Sequence, residues 1–190
     1  MSAQIVKDIQ AEIEEAISVH KLLLSIIDEI AAAGNLLAEA YKHGGKVVIF
    51  GNGGSAADAQ HIAGELVGRF KKERKAIDAT ALSTNTSILT AIGNDYSFDE
   101  VFARQVEAIC RPGDVVIGLS TSGRSRNVIE ALKRAKIVGC RTVGLTGESG
   151  FPAGIAELCI KVPSKSTQRI QECHILIGHI LSGIVEASLY

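Results

Sequence analysis

Short apolar runs alternate along most of the chain with longer stretches of helical character. The apolar runs show little alternation of apolar and polar positions, which is typical of parallel strands buried on both faces. They predict strands at 46–50, 78–82, 115–119, 141–145 and 158–162. Helices are predicted between and after them, at 56–69, 87–92, 99–109, 125–138 and 166–188. Parallel strands joined by helices predict an α/β fold with a doubly wound, five-stranded sheet that binds ligands at the carboxyl ends of its strands.

The region before the first strand has a different pattern. Isoleucine and leucine recur near helical spacing over residues 3–33, which predicts one long helix or two, and a further helix is predicted over 34–43. Plain core packing explains such a pattern. Its apolar surface nevertheless exceeds what one small domain needs, so residues 1–43 are equally predicted to form a helical extension that contributes to oligomer contacts. No linker interrupts the sequence, and one domain is predicted over 1–190.

Composition narrows the class of protein. The net charge of the 190 residues is −1, which favours neither nucleic acid nor a membrane surface as a partner. We find no basic-then-apolar leader and no run of about 20 uninterrupted apolar residues. The four cysteines lie far apart and form no CxxC pair, so reduced thiols in a cytoplasmic protein are predicted; they are Cys110, Cys140, Cys159 and Cys173.

Two strand–loop–helix units begin with similar small polar loops. The first loop is Gly51-Asn52-Gly53-Gly54-Ser55, and the second places Ser120, Thr121, Ser122 and Ser125 before a helix. A helix N-terminus carries partial positive charge and unpaired N–H donors, and therefore favours an anion. A tight turn alone explains the glycines, and an N-cap explains one serine, but four hydroxyls exceed that need. The pair of loops predicts a bound phosphate that carries a polyol.

Polar residues also occur at helical spacing after the first loop. His61 and Glu65 are four residues apart on the predicted helix 56–69 and share one face. They form either a solvated stripe or a chemical pair that binds a metal or transfers protons. Arg69 follows one turn later, where it can meet a phosphate or a carboxylate.

The last predicted helix carries Gln171 and His179 on roughly one side. These residues are eight positions apart, or about 12 Å along a helix axis. A straight helix cannot direct both side chains at one metal ion whose ligand bonds are about 2 Å long. If both serve one site, either a second subunit supplies one of them or the helix bends.

Taken together, these motifs resemble the sugar isomerase (SIS) family, in its order and spacing from about residue 5 to the end. The resemblance is to the branch whose members convert sedoheptulose 7-phosphate into D-glycero-D-manno-heptose 7-phosphate. The motifs that carry it are Gly51 to Ser55, His61 to Arg69, Gly93-Asn94-Asp95, Ser120 to Gly123, and Arg169 to His174 followed by His179.

The resemblance implies a flavodoxin-like or Rossmann-like fold and an aldose–ketose isomerase that acts through a cis-enediol. It also implies a cytoplasmic homotetramer with active sites between subunits, in the first step of ADP-heptose and lipopolysaccharide core synthesis. Zn²⁺ is the implied cofactor, held by His61, Glu65, Gln171 and His179. Glu65 and His179 are the implied catalytic residues. The implied substrate contacts are Asn52, Gly53, Gly54, Ser55, Glu65, Arg69, Asn94, Asp95, Ser120, Thr121, Ser122, Ser125 and Gln171.

One position departs from the family pattern. Some members have an acidic residue directly before Arg-Ile-Gln, where this chain has Gln168, a side chain that cannot exchange a proton. Two other functions remain open from the sequence. One is a non-catalytic tetramer that binds the replication initiator DnaA, although that branch lacks the acidic residue found here as Glu65. The other is an isomerase or sensor for a different phosphosugar.

Overall fold

Five parallel strands form the centre of the protein, seen here in a computed structural model that describes residues 3–190. The strand order is β2-β1-β3-β4-β5. The strands are β1 (Val47–Gly51), β2 (Ala79–Ala81), β3 (Val115–Ser120), β4 (Arg141–Thr146) and β5 (Leu158–Lys161). This order confirms the predicted doubly wound sheet and places its topological switch point between β1 and β3, where Gly51 pairs with Leu119. Residues 1 and 2 of the predicted domain lie outside the described part of the chain.

Helices cover both faces of the sheet. They are α1 (Ala3–Leu22), α2 (Ile27–Lys42), α3 (Gly54–Val67), α4 (Thr86–Asp95), α5 (Ala103–Ile109), α6 (Arg126–Val138) and α7 (Thr167–Leu189), with short 3₁₀ turns at Leu23–Ile26 and Phe98–Glu100. Alternate strand residues point to opposite faces. Ile49 and Ile117 therefore pack with α2, α3 and α7, whereas Val48 and Val116 pack with α5 and α6.

The N-terminal helices differ in part from the prediction. The break falls at the 3₁₀ turn Leu23–Ile26 and not at Gly34, which lies inside α2. A Cβ on Gly34 would lie 2.6 Å from Ile184 Cδ1, so this glycine allows α2 to approach α7. The helical extension itself is confirmed. Within α1 only Val19 is buried, and Ile9, Ile13 and Ile17 remain about half exposed.

The end of α3 is a second correction. The prediction extended this helix to residue 69, but it ends at Val67, and Gly68 caps it through a backbone bond to Gly64. Arg74 then donates from its guanidinium to the carbonyls of Glu65 and Leu66, which terminates the helix. Arg69 therefore lies in the segment after α3 and not on its surface.

Helix α7 is long and apolar enough to cross a membrane by length and composition. The sequence reading, which counted uninterrupted apolar residues, did not single it out. In the structure ten of its residues are buried, including Ile177, Leu181 and Val185, which pack against the sheet and its helices. The core helix of a folded protein meets the same criteria, and this packing accounts for its apolar character.

Candidate functional site

Helices α3 and α7 pack closely against each other on one face of the sheet. Gly178 makes this approach possible, because a Cβ there would lie 2.5 Å from Ile62 Cδ1. Ile62 is buried, and its helix neighbour His61 is exposed on the side toward α7. The contact between positions 62 and 178 therefore brings His61 and His179 together from helices far apart in sequence.

Three potential ligand groups converge at this contact. His61 Nε2 lies 3.1 Å from a Glu65 carboxylate oxygen and 3.0 Å from His179 Nε2. One donor atom from each of the three residues lies within 4.8 Å of the other two. The Glu65 side chain is one quarter exposed and that of His61 about one half, so the group opens to solvent. The spacing of His61 and Glu65 thus belongs to a chemical cluster and not to a solvated stripe.

The donor set fits a zinc ion. Two imidazole nitrogens and one carboxylate oxygen are the three-ligand set of many catalytic zinc sites, which leave a fourth position open. Neighbouring ligand atoms of a tetrahedral zinc ion with bonds near 2.1 Å lie about 3.4 Å apart, close to the 3.1 and 3.0 Å that separate His61 from Glu65 and from His179. His61, Glu65 and His179 can therefore hold the implied metal from one chain.

Gln171, the fourth residue matched to a metal position, lies elsewhere. Its amide packs directly against Gly54 in the loop after β1, where a Cβ would collide with it. The eight-position separation of Gln171 and His179 places the two side chains at different points of the same continuous helix. Within the described chain, Gln171 therefore lies against the loop after β1, whereas His179 belongs to the ligand cluster.

The loop after β1 presents an open helix N-terminus. Gly53 occupies the N-cap position of α3 with φ +54°, a conformation that favours glycine, and no side chain caps the helix there. Ser55 is buried at the first turn. The free N–H groups of this turn are the donors expected for an anion.

The loop after β3 has the same property with more hydroxyls. Ser125 is the N-cap of α6, yet its side chain does not cap the helix. Its Oγ instead lies 2.9 Å from Ser120 Oγ, and Ser120 is buried. Ser122 is exposed and accepts from the backbone of Arg124, and Thr121 is half-buried beside it. The Ser125 hydroxyl is thus paired with Ser120 and does not cap the helix.

Asn127, which the sequence analysis did not select, connects the two loops. The side-chain amides of Asn52 and Asn127 exchange two hydrogen bonds, of 2.8 and 2.9 Å. Asn127 is buried at the start of α6. A buried amide must satisfy both donor and acceptor. A polar residue in the first turn of a helix is too common for sequence to reveal this partner.

The other predicted contacts lie on exposed segments. Asn94 donates to Asp95 at the C-terminal end of α4, and both residues are exposed. Arg69 lies 3.7 Å from Glu73, and its side chain is 61% exposed. These three side chains are exposed to solvent, and the structure does not bring them to the ligand cluster.

A buried ion pair behind the cluster was also missed by sequence reasoning. Glu186 of α7 accepts hydrogen bonds from Arg74 and from the backbone N–H groups of Phe70, Lys71 and Lys72. Burial by itself raises the pKa of the Glu186 carboxyl. These hydrogen bonds together lower it by a larger amount, so the pKa lies below the usual range. The only sequence signal was an acidic residue within an apolar helix.

Asp58 adds a second carboxyl near the cluster. Burial raises the pKa of Asp58 to about 6, and the nearby His61 opposes this shift. One of its carboxylate oxygens is buried without a hydrogen-bond partner among the described residues. Asp58 is therefore an acid held close to its protonated form at the edge of the site.

Comparison with known proteins agrees with this arrangement. Residues 7–147 match the family described as "SIS domain". The phosphoheptose isomerase of Aquifex aeolicus is 59% identical over 159 residues, which cover 83% of each chain. That of Geotalea daltonii is 52% identical over 185 residues, covering 94% of this chain and 96% of the relative. The solved phosphoheptose isomerase of Neisseria gonorrhoeae superposes with a TM-score of 0.89 at 40% identity, covering 96% of this chain and 99% of that chain.

Proposed function

Because this chain belongs to the SIS-domain family and its similar relatives are named phosphoheptose isomerase, we propose that it converts sedoheptulose 7-phosphate into D-glycero-D-manno-heptose 7-phosphate. The observation that carries the proposal is the convergence of Glu65 and His179 in one cluster, with Glu65 on a helix that begins at one of the two loops suited to an anion. The reaction moves a carbonyl from C2 to C1 of an open-chain sugar. C1 is oxidised and C2 is reduced, so no external oxidant or reductant is needed.

The phosphate binds to the two loops at the switch point. Ser55, Ser120 and Ser125 supply hydroxyls there, together with Thr121, Ser122 and the N–H groups of α3 and α6. Between the phosphate and the cluster, the substrate contacts Asn52, Gly53, Gly54 and Gln171. The remaining predicted contacts of the bound substrate are Arg69, Asn94 and Asp95. These contacts hold the phosphate end and orient C1 and C2 for reaction.

Glu65 is the base at carbon. Its carboxylate takes a proton from C1, which leaves a cis-enediol, and returns the proton to C2. His179 transfers protons at the two oxygens, because the hydroxyl on C1 must lose its proton as the oxygen on C2 gains one. Gln168 takes no part in proton transfer, so these two residues carry the proton transfers alone.

The implied metal fits this scheme. His61, Glu65 and His179 would hold Zn²⁺, with Gln171 as a further ligand if a neighbouring subunit supplies it, and the ion would polarise the carbonyl and align the two substrate oxygens.

The wider setting follows from the family. The chain acts as one domain over 1–190 in a cytoplasmic homotetramer, with no nucleic-acid or membrane partner. Residues 1–43 form part of the subunit contact, which the half-exposed isoleucines of α1 support. A second subunit near His179 would cover the groove of about 580 Å³ along α7, lined by Phe70, Ile180 and Ile184 among others. The reaction is the first step of ADP-heptose and lipopolysaccharide core synthesis.

The decisive experiment measures exchange of the C1 proton with solvent for a panel of ketose phosphates in D₂O. Sedoheptulose 7-phosphate is expected to exchange and to give the aldose fastest. Faster turnover of another ketose phosphate would replace the proposed substrate. Absence of exchange with every ketose, combined with capture of the replication initiator DnaA, would favour the non-catalytic alternative, which the presence of Glu65 argues against.

A further inference from the structure

We propose that Arg74 and Glu186 are positioning residues for isomerisation, a role that rests on the proposed function. Together with the backbone N–H groups of residues 70–72 they form what we call the α3–α7 clamp. The clamp joins the segment after α3 to the last turns of α7. It acts on the reacting groups through two contacts, one to Glu65 and one to His179.

The clamp is buried and highly connected. The Arg74 and Glu186 side chains are 0% and 2% exposed, and Arg74 Nε lies 3.0 Å from a Glu186 oxygen. The same carboxylate accepts from the N–H groups of Phe70, Lys71 and Lys72 at 3.2, 2.8 and 2.9 Å. A buried pair whose donors and acceptors are all used has one geometry, so it fixes the segment firmly relative to α7.

The first contact reaches Glu65. One guanidinium nitrogen of Arg74 donates to the Glu65 carbonyl at 2.8 Å, and the other donates to the Leu66 carbonyl at 2.8 Å. These carbonyls belong to the last turn of α3, which has no helical partners for them. Arg74 therefore sets where the backbone of Glu65 lies relative to α7.

The second contact reaches His179. The Phe70 ring stacks on the His179 imidazole, with ring centroids 5.6 Å apart and planes inclined by 23°. The Phe70 N–H is itself bound by Glu186, and Glu186 follows His179 by seven residues, on the same face of α7. The clamp thus holds one side of the imidazole while His61 meets its Nε2.

These contacts make a specific demand on catalysis. Glu65 and His179 come from different helices, and proton transfer at adjacent atoms requires them to keep one separation. Small misplacement of such groups lowers turnover strongly while leaving distant binding contacts intact. The phosphate loops lie at the ends of β1 and β3 and make no part of the clamp, so substrate affinity should be little affected.

The test compares Glu186→Gln with Asp114→Asn. Asp114 is a matched control, because its buried carboxylate also accepts from a side-chain cation, Lys46, and from two backbone N–H groups. It lies directly before β3, and its hydrogen bonds run to Lys46 and Arg111 and not to residues of the clamp. We expect about a 10-fold loss of kcat with KM within about twofold for Glu186→Gln, and unchanged kcat for Asp114→Asn, at a temperature where both remain folded.

Phe70 variants keep the test valid if Glu186→Gln does not fold, because Phe70 is only half-buried. Phe70→Leu removes the aromatic ring and should lower kcat in the same manner. Phe70→Tyr keeps an aromatic ring against His179 and should have the kcat of the wild type. Values of kcat within twofold of the wild type in both Glu186→Gln and Phe70→Leu would overturn the proposal. So would an equal loss of kcat in Asp114→Asn.

A spectroscopic measurement separates this proposal from the proposed function. The stacked Phe70 ring shifts the ring protons of His179 upfield in NMR spectra, and this shift should be lost in Glu186→Gln and kept in Asp114→Asn. If the wild type isomerises no sugar phosphate, the proposed function fails, and the ring shift alone decides on the clamp. A ring shift that persists unchanged in Glu186→Gln would overturn the proposed role of the clamp.

Discussion

The units β1–α3 and β3–α6 have the same local design but different surroundings. Each consists of a buried strand, a small polar loop and a helix that no N-cap side chain caps. Helix α3 packs on the sheet face that it shares with α2 and α7, whereas α6 packs with α5 on the other face. Of the two helices, only α3 packs against α7, and only α3 contributes side chains to the ligand cluster.

The two units are nevertheless tied together at their loops. The reciprocal bonds between Asn52 and Asn127 join the loop that leads into the catalytic helix to the loop rich in hydroxyls. A helix N-terminus suited to an anion is therefore a local property of a strand–loop–helix unit. The ligand cluster, in contrast, forms where one such helix contacts another element.

The largest expected effect concerns the side chain that α3 alone supplies. Glu65→Gln keeps the shape but not the base, so kcat should fall by about 10³-fold while KM changes little. Steady-state kinetics with sedoheptulose 7-phosphate measures both. Glu73→Gln is the control, since that carboxylate is 90% exposed on the following segment. Near-normal turnover in Glu65→Gln would show that α3 supplies no base, and the two units would then not differ in their chemistry.

A second prediction concerns His174, which separates the buried side of α7 from the side facing α3. Burial lowers the pKa of His174 to about 4. Between pH 6.5 and 4 the unfolded chain therefore binds a proton that the folded chain does not, and the free energy of unfolding should fall by roughly 3 kcal/mol across this range.

Urea denaturation at several pH values measures this dependence. The contribution of about 3 kcal/mol should be lost in His174→Leu and retained in His43→Leu, because His43 is exposed at the end of α2. An equal pH dependence in His174→Leu and the wild type would show that the buried imidazole does not cause it.

The third prediction tests the contact that distinguishes α3 from α6. Gly178→Ala places a Cβ 2.5 Å from Ile62 Cδ1. The overpacking should lower the free energy of unfolding by about 2 kcal/mol and should also reduce kcat, because α3 moves away from His179. Gly64→Ala is the matched control on α3, where a Cβ has no neighbour within 4 Å, and it should preserve kcat. Undiminished kcat in Gly178→Ala would show that the helix contact does not set the chemistry.

The smallest effect is expected at the β3–α6 unit, which binds but does not react. Ser125→Ala removes a hydroxyl that is not used as a cap. The loss of one hydrogen bond to a charged phosphate should raise KM about 10-fold and leave kcat nearly unchanged. Ser87→Ala, at an exposed position in the first turn of α4, should alter neither constant. A fall in kcat with constant KM would place Ser125 in the reaction and not in binding.

Much of this site was predictable because its parts are local. The five strands correspond to short, largely apolar runs, and the two loops follow strands that a parallel sheet brings to one edge. The four-residue spacing of His61 and Glu65 also placed them on one helical face. Helix ends were less predictable, because Gly34 continues α2 by packing against α7 and Arg74 helps to end α3 before Arg69.

The sequence by itself determined the fold class, the position of the two small polar loops and the identity of the chemical groups, since these depend on periodicity and on residue type. Only the tertiary structure decided which groups meet. His179 joins His61 while Gln171 joins Gly54, and Arg74, Glu186 and Asn127 acquire partners more than 70 positions away. Such contacts depend on how closely two helices or loops approach, a distance set by the packing of the whole core and absent from any local pattern.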